Sequence, residues 1–290
     1  MTLRLTTYFG ERDHDGRRFL AEALLDTYAR HGVEVSALMR GAAGFGAKHH
    51  LHTDTLLTLS EDLPMVSVAI DTRERIEALI GKVERLQHTG LVTVESTQLL
   101  DGRAVIAEPA KLTLYLTDGR RAYTTACDVL HRHGVAGATV LHGVDGTVHG
   151  ERRRSTRAPA LVVAVGDGPA LTAAIAELPP CLATLDRIQI GAVERADGMW
   201  TKLTVHGHDD FVRRLRADGV RGATMLRGVW GFRDGQPPAG DRVLQIRRHV
   251  PSITVIVDAP DRIDRAFAVV AGHGLVTSEL LPAIGVRARG

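Results

Sequence analysis

Gly32-Val-Glu-Val-Ser-Ala-Leu-Met-Arg-Gly41 returns as Gly134-Val-Ala-Gly-Ala-Thr-Val-Leu-His-Gly143, and again as Gly219-Val-Arg-Gly-Ala-Thr-Met-Leu-Arg-Gly228. Each time, two glycines nine positions apart bracket an apolar run of strand length. Self-similarity at a fixed spacing is the signature of a repeated supersecondary unit, and it outranks any single-segment reading. The flanks agree. Strand-like stretches lie before each match, at Leu3–Phe9, Lys111–Thr117 and Trp200–His206, and a helical stretch runs from each to the first glycine. After the second glycine come a variable loop and a strand that opens at a proline, Pro64, Pro159 or Pro251. The glycine-to-proline spacing is 23, 16 and 23 positions, so the middle copy has a shortened loop.

Each copy then closes with a second helix and a last strand. Gly90-Leu-Val-Thr matches Gly274-Leu-Val-Thr, with Cys181-Leu-Ala-Thr in the middle copy. Phe19, Leu20, Ala23, Leu24, Thr27 and Tyr28 fall at helical spacing, with Gly32 placed as a left-handed stop. Asp71-Thr72 reads as an N-cap pair before Ile76, Leu79, Ile80 and Val83, with Gly90 as that helix's stop. Val66, Val68 and Ile70 alternate with Ser67 and Ala69, as in a strand buried mainly on one face. The order strand, helix, two strands, helix, strand is the split β-α-β arrangement. The expected fold is therefore α+β: three tandem ferredoxin-like repeats, at residues 1–101, 110–195 and 199–290, with their open sheet faces packed together as a single-chain pseudo-trimer. The stretches Leu100–Ala110 and Arg195–Met199 are turn-rich and serve as linkers.

Composition narrows the function. The 290 residues carry a net charge of +2, too little for the footprint of a general nucleic-acid binder. No apolar run approaches the roughly 20 residues of a membrane span, and the first nine residues alternate like a strand, so a cytoplasmic protein without membrane insertion is expected. Cys127 and Cys181 are too few and too isolated for a disulfide framework and read as small buried hydrophobes. Four of the 36 basic residues are lysines, Lys48, Lys82, Lys111 and Lys202.

Tyr8-Phe9-Gly10-Glu11-Arg12, Leu38-Met39-Arg40-Gly41-Ala-Ala-Gly44-Phe45-Gly46, His52-Thr53, Leu59-Ser60-Glu61-Asp62-Leu63-Pro64 and Gly90-Leu91-Val92-Thr93 together resemble the bacterial PII-like family of domain of unknown function 190. The third copy resembles it through Arg227-Gly228-Val-Trp-Gly231-Phe232, with Arg233 where a further glycine would stand. The middle copy, Gly143-Val-Asp-Gly146, lacks the phenylalanine. The resemblance implies a ferredoxin-like trimer with relatives among PII signalling proteins, which bind adenine nucleotides between subunits and contact a target through the loop between strands 2 and 3. Here that loop would run from about Gly41 to Asp54.

The residues themselves offer a glycine turn after strand 2, whose amides suit an anion and whose charge comes from Arg40 or Arg227. The expected ligand-binding residues are Arg40, Gly41, Gly44, Phe45, Gly46, His52, Gly90, Arg227, Gly228, Gly231 and Phe232. The plainer alternative is that the glycines only shape turns and Phe45 plugs a core. The run Glu151-Arg152-Arg153-Arg154-Ser155-Thr156-Arg157 is either a solvated face or a docking surface. Lys48-His49-His50-Leu51-His52 lacks acidic or cysteine partners at metal-site spacing, so no metal site is expected. Ser60-Glu61-Asp62 and the scattered histidines form no catalytic constellation. The expected function is regulatory and non-enzymatic: binding of a small anionic ligand, an adenine nucleotide, between repeats, with no cofactor beyond it. The alternatives are an interaction scaffold without ligand, or a metal-binding protein of the CutA type.

Overall fold

The computed structural model describes all residues except 47–50, 54–61, 101–103, 209, 241–249, 283–285 and 290. The first repeat contains β1 (Thr2–Gly10), β2 (His14–Asp15), β3 (Arg18–Phe19), α1 (Leu20–Arg30), β4 (Val35–Arg40), β5 (Ala43–Phe45), β6 (His52–Thr53), β7 (Pro64–Thr72), α2 (Arg73–Leu86) and β8 (Gly90–Leu100). The second contains β9 (Ala110–Leu116), α3 (Gly119–Arg132), β10 (Gly137–Val148), β11 (Glu151–Arg154), β12 (Ala160–Gly166), α4 (Gly168–Glu177), β13 (Leu182–Arg187) and β14 (Gln189–Ile190). The third contains β15 (Met199–Gly207), α5 (Val212–Ala217), β16 (Ala223–Arg227), β17 (Trp230–Arg233), β18 (Ala239–Gly240), β19 (Ser252–Asp258), α6 (Pro260–Val270), β20 (Leu275–Pro282) and β21 (Val286–Arg289).

Local chemistry accounts for the elements. Thr72 accepts the amide of Arg75 at the start of α2, and Gly32 adopts the left-handed conformation that ends α1. Two expectations shift. Phe19 caps α1 from outside and is 49% exposed, while α2 already stops at Leu86, so Gly90 opens β8 instead of closing the helix.

The four principal strands run in the same order in each repeat: β8-β1-β7-β4, β13-β9-β12-β10 and β20-β15-β19-β16. The sheets are not three separate units, however. β8 pairs with β13, and β10 pairs with both β12 and β4, so eight antiparallel strands of the first two repeats close into a barrel. The reason is that the chain does not turn away after strand 2. It continues onto the neighbouring repeat, where Gly44 pairs with Thr224, Gly231 with Thr139 and Gly146 with Ala37. These are equivalent positions, so each repeat lends a strand to another in a closed cycle.

Every helix-side core belongs mainly to one repeat, with Phe45 inserted into the core of the third and Phe232 into that of the second. A fourth cluster draws Val35, Val66 and Ile70, Leu141 and Val163, and Leu226 and Ile253 from all three repeats. The sheet faces away from the helices therefore pack on one another.

At the same interface the strands carry charge. Arg4 lies opposite Glu95, Lys111 opposite Asp186 and Lys202 opposite Glu279. Each cation also reaches the carboxylate of another repeat: Arg4 to Asp186 at 2.8 Å, Lys111 to Glu279 at 2.6 Å, and Lys202 to Glu95. Contacts of Lys111 to Asp186 (3.3 Å), Lys202 to Glu279 (3.2 Å) and Arg4 to Glu95 (3.9 Å) complete an alternating ring of six charges. None of the six side chains is more than 8% exposed. Thr97 donates to Asp186 at 2.7 Å and Arg4 donates to Thr184 at 2.9 Å, so further donors and acceptors are matched. Burial alone would raise the Asp186 carboxyl, but Arg4, Lys111 and Lys202 outweigh it and hold the group well below the usual carboxylate range. Burial opposes the charge on Lys202 as well, and Glu279 and Glu95 overcome it, raising that ammonium.

Removing one member leaves the buried ring with one uncompensated charge, which costs roughly 3–5 kcal/mol. Asp186→Asn should therefore lower the free energy of unfolding in urea by about that amount, whereas Glu77→Gln, at the exposed Arg73–Glu77 bridge, should leave it unchanged.

Candidate functional site

The strand exchange creates a seam beside each crossing. At the seam between repeats one and three lies a cleft of about 330 Å3. Repeat one supplies Tyr8, Phe9 and Gly10 from the end of β1, the lip Gly44–Gly46, His52, Pro64, and Thr89–Leu91 before and within β8. Repeat three supplies Trp200, the segment Arg221–Thr224, and Val255 and Val257 of β19. The Arg221 guanidinium stands over the Trp200 ring at 5.6 Å, within the range of a cation–π contact. Asp258 fixes the turn from which Arg221 projects by accepting its backbone N–H at 3.0 Å.

Two carboxylates line the cleft. Asp13 accepts the Gly10 amide and the Thr89 hydroxyl, each at 3.0 Å, and Asp62 accepts the Arg12 amide at 2.6 Å. Burial pushes the Tyr8 phenol well above its ordinary value, so it stays neutral. The cleft is thus largely apolar, with one arginine, two hydrogen-bonded carboxylates and a lip of backbone.

Of the residues expected to bind ligand, Gly44, Phe45, Gly46, His52 and Gly90 line this cleft. Phe45 also fills the core of repeat three, so the cleft meets a ring that is only 5% exposed. Arg40 lies outside, paired with Glu11 at 2.7 Å. Gly41 is a strand-crossing residue: its amide donates to the Pro64 carbonyl at 2.7 Å, and a Cβ there would lie 2.7 Å from the proline ring. Gly228 is under the same restriction against Pro251. Arg227, Gly228, Gly231 and Phe232 sit together at the next seam, between repeats three and two.

The arginine run of the middle copy is tied into ion pairs: Arg152 to Asp26 and to Asp145 (2.8 Å), Arg153 to Glu151 (2.7 Å) and Arg154 to Asp145 (3.6 Å). Lys48, His49 and His50 of the histidine cluster, and Ser60 and Glu61, lie outside the described residues. Among the described residues no cluster of three or more metal-ligating side chains occurs, and no helix is long and apolar enough to cross a membrane.

Trp200, Arg221 and Asp13 are not singled out by the sequence, and Tyr8 and Asp62, which stand in the motifs of the family resemblance, are not among the residues expected to bind ligand. A comparison of aligned repeats carries the signal for the first two. Arg221 corresponds to Glu34 and Ala136, two positions after the repeated glycine. Trp200 corresponds to Thr2 and Pro109, two positions before the ring cation.

The other two seams are built differently at the lip. Gly46 corresponds to Val148 and Arg233. Val148 is buried in the central cluster. Arg233 extends along the seam and donates from Nη1 to the His206 carbonyl at 3.1 Å, close to Gly207 and Gly274. Their counterparts Tyr8, Phe9 and Gly90 all line the first cleft. There the Tyr8 carbonyl is held instead by Gln87, at 3.1 Å, from the end of α2.

A family model for domain of unknown function 190, described as an uncharacterized ACR, matches residues 2–99, 114–190 and 202–282. The chain belongs to the DUF190 family. A UPF0166 protein from Aquifex aeolicus (strain VF5) is 27% identical over 90 residues, which are 84% of that protein and 31% of this chain. The relative thus has about the length of one repeat, and this DUF190 chain holds three divergent copies.

His206 occupies the position of Tyr8 and Tyr115 in the other repeats. Burial, reinforced by Lys111, lowers its imidazole to about 3, so it is neutral in the folded chain. Unfolded imidazole binds a proton near pH 6.5, so the folded state loses stability as pH falls from about 6.5 towards that depressed value. His206→Tyr should therefore reduce the fall in Tm between about pH 7 and pH 5, read by thermal melts in matched buffers.

Proposed function

We propose that this chain is a PII-like regulatory protein, three ferredoxin-like units arranged as a single-chain pseudo-trimer, which senses an adenine nucleotide of low charge in the cleft between repeats one and three. The observation that carries the reading is the pairing of Trp200 and Arg221 across from the Gly44–Gly46 lip. A flat base suits the apolar walls formed by Tyr8, Leu91, Trp200, Val255 and Val257, and the volume suits a nucleoside better than a longer chain. Arg221 and the glycine lip supply donors for one phosphate group. Asp13 and Asp62 in the lining repel additional negative charge, which favours a monophosphate or a cyclic monophosphate over a triphosphate.

Regulation follows from where the lip stands. β5 is hydrogen-bonded to β16 of repeat three and to β6, so a ligand touching Gly44–Gly46 touches both sides of the seam. A partner that reads the connection between strands 2 and 3 of repeat one would then sense occupancy. The chemistry is binding: Asp13 and Asp62 are both committed to local donors and stand as structural acceptors, not as a paired acid and base.

Calorimetric titration with AMP, cyclic AMP, ADP and ATP tests this. AMP or cyclic AMP should bind, ATP should bind more weakly, and Arg221→Ala should weaken binding about tenfold or more without lowering Tm, whereas Trp200→Ala should weaken binding and, because the indole packs against Val257 and Leu281, also lower Tm. Absence of heat and of any Tm shift with all four nucleotides would overturn the proposal.

A further inference from the structure

The three seams are related by the repeats, yet their side chains differ at the three positions that matter for occupancy. At the first seam these are Gly46 on the lip, with Arg221 and Trp200 opposite. At the seam between repeats three and two they are Arg233, Ala136 and Pro109. At the seam between repeats two and one they are Val148, Glu34 and Thr2.

We infer that Gly46 is the gate residue that leaves one of the three seams open to ligand, and that Arg233 is a tethered occupant of the second seam, standing where a ligand would stand in the first. The inference rests on the proposed ligand reading for what enters the cleft, but the gating by Gly46 rests on geometry alone.

Arg233 occupies its seam by reach and by bonding. Its backbone pairs with Gly137 on the lip strand, and its guanidinium ends against the His206 carbonyl and the glycines of β15 and the turn before β20. It therefore spans its seam from wall to wall. Repeat one satisfies the equivalent Tyr8 carbonyl from behind, through Gln87, while Ala271 stands at that place in repeat three. The third repeat thus needs a donor from the front, and an arginine on the lip meets that need while filling the space. A ligand at this seam would have to displace a hydrogen-bonded guanidinium and would find Ala136 and Pro109 at the positions that Arg221 and Trp200 hold in the first cleft.

The third seam is closed by packing. Val148 joins the central apolar cluster, and the adjacent Thr147 hydroxyl donates to the Val33 carbonyl at 3.0 Å and accepts from the Ser36 hydroxyl at 2.9 Å. Glu34 takes the place of Arg221, which reverses the charge that would meet an anion.

The test copies one seam into another. Gly46→Arg imports the geometry that position 233 already accommodates, so it should fold normally by thermal melt. In a Trp230→Phe background, where Trp200 is the one tryptophan, Gly46→Arg should cut acrylamide quenching of Trp200 fluorescence substantially, because the cleft is filled. It should also abolish the calorimetric signal of AMP, which in the wild type should saturate at one per chain. Arg233→Gly should leave that stoichiometry at one. If Gly46→Arg does not fold, Gly46→Val, which copies the valine found at position 148, serves in its place. Unchanged quenching in the gate variant, or a wild-type stoichiometry above one, would overturn the inference. A wild type that binds no nucleotide while the gate variant still loses quenching would sink the ligand reading and leave the gate standing.

Discussion

The structure depends on the ring of Arg4, Asp186, Lys111, Glu279, Lys202 and Glu95. Three cations and three carboxylates, all buried, are tolerable only because they alternate and because each sits between two opposite charges. Such a ring does little for stability compared with an apolar core of equal volume, since desolvation offsets most of the attraction. What it does impose is register. Each cation is aligned with its own repeat's carboxylate by strand pairing and bonded to another repeat's carboxylate through its side chain, so a slip of one residue along any strand would strand two charges without partners. The apolar cluster of Val, Ile and Leu from all three repeats supplies attraction, and the ring decides which arrangement that attraction settles into.

That fixed register positions everything else. Because β1, β9 and β15 are locked to one another, the segments after β4 and β16 and the second half of β10 arrive beside a neighbouring repeat at the right height to pair with it. The glycines at these crossings are there for closeness: a Cβ on Gly44 would lie 2.8 Å from the Ala223 carbonyl and one on Gly146 2.2 Å from that of Ser36. The cleft is a by-product of this stitching, a gap that exists where the side chain at the lip is a hydrogen atom. Divergence among the repeats then acts on a few side chains at a shared scaffold, the usual way in which a fold keeps its frame and changes its sites.

The repeated elements are legible in the sequence because their signals are local. Glycine spacing, helical periodicity in Leu20 to Tyr28 and the proline at the head of strand 3 each depend on a few neighbouring residues. The ring is not legible, for an equally physical reason. Arg4, Lys111 and Lys202 alternate with apolar neighbours, which in one isolated sheet describes a face turned to water, and only packing of three such faces reverses the reading. Two of the four lysines in an arginine-rich chain occupy equivalent strand positions, which is the trace this burial leaves. The glycine turn is visible as a feature, and its Gly44 and Gly46, with His52 and Gly90, do reach the cleft, but the charge expected of Arg40 is supplied by Arg221. Arg221 and Trp200 come from a repeat more than 150 residues away from the lip, and no local pattern predicts that meeting.

The cyclic exchange of strands also sets an order of events during synthesis. When the ribosome has made the first repeat, β5 has nothing to pair with beyond β6, because β16 lies nearly two hundred residues downstream. The second repeat can close the eight-stranded barrel, yet the first half of β10 still awaits β17, and the N-terminal part of β8 awaits β21. Pairings of such long sequence separation form slowly and leave strand edges open in the interval. The last repeat therefore acts as the closing piece of the whole molecule, and a chain truncated before it would present three unfinished sheet edges at once, an invitation to association with other truncated copies.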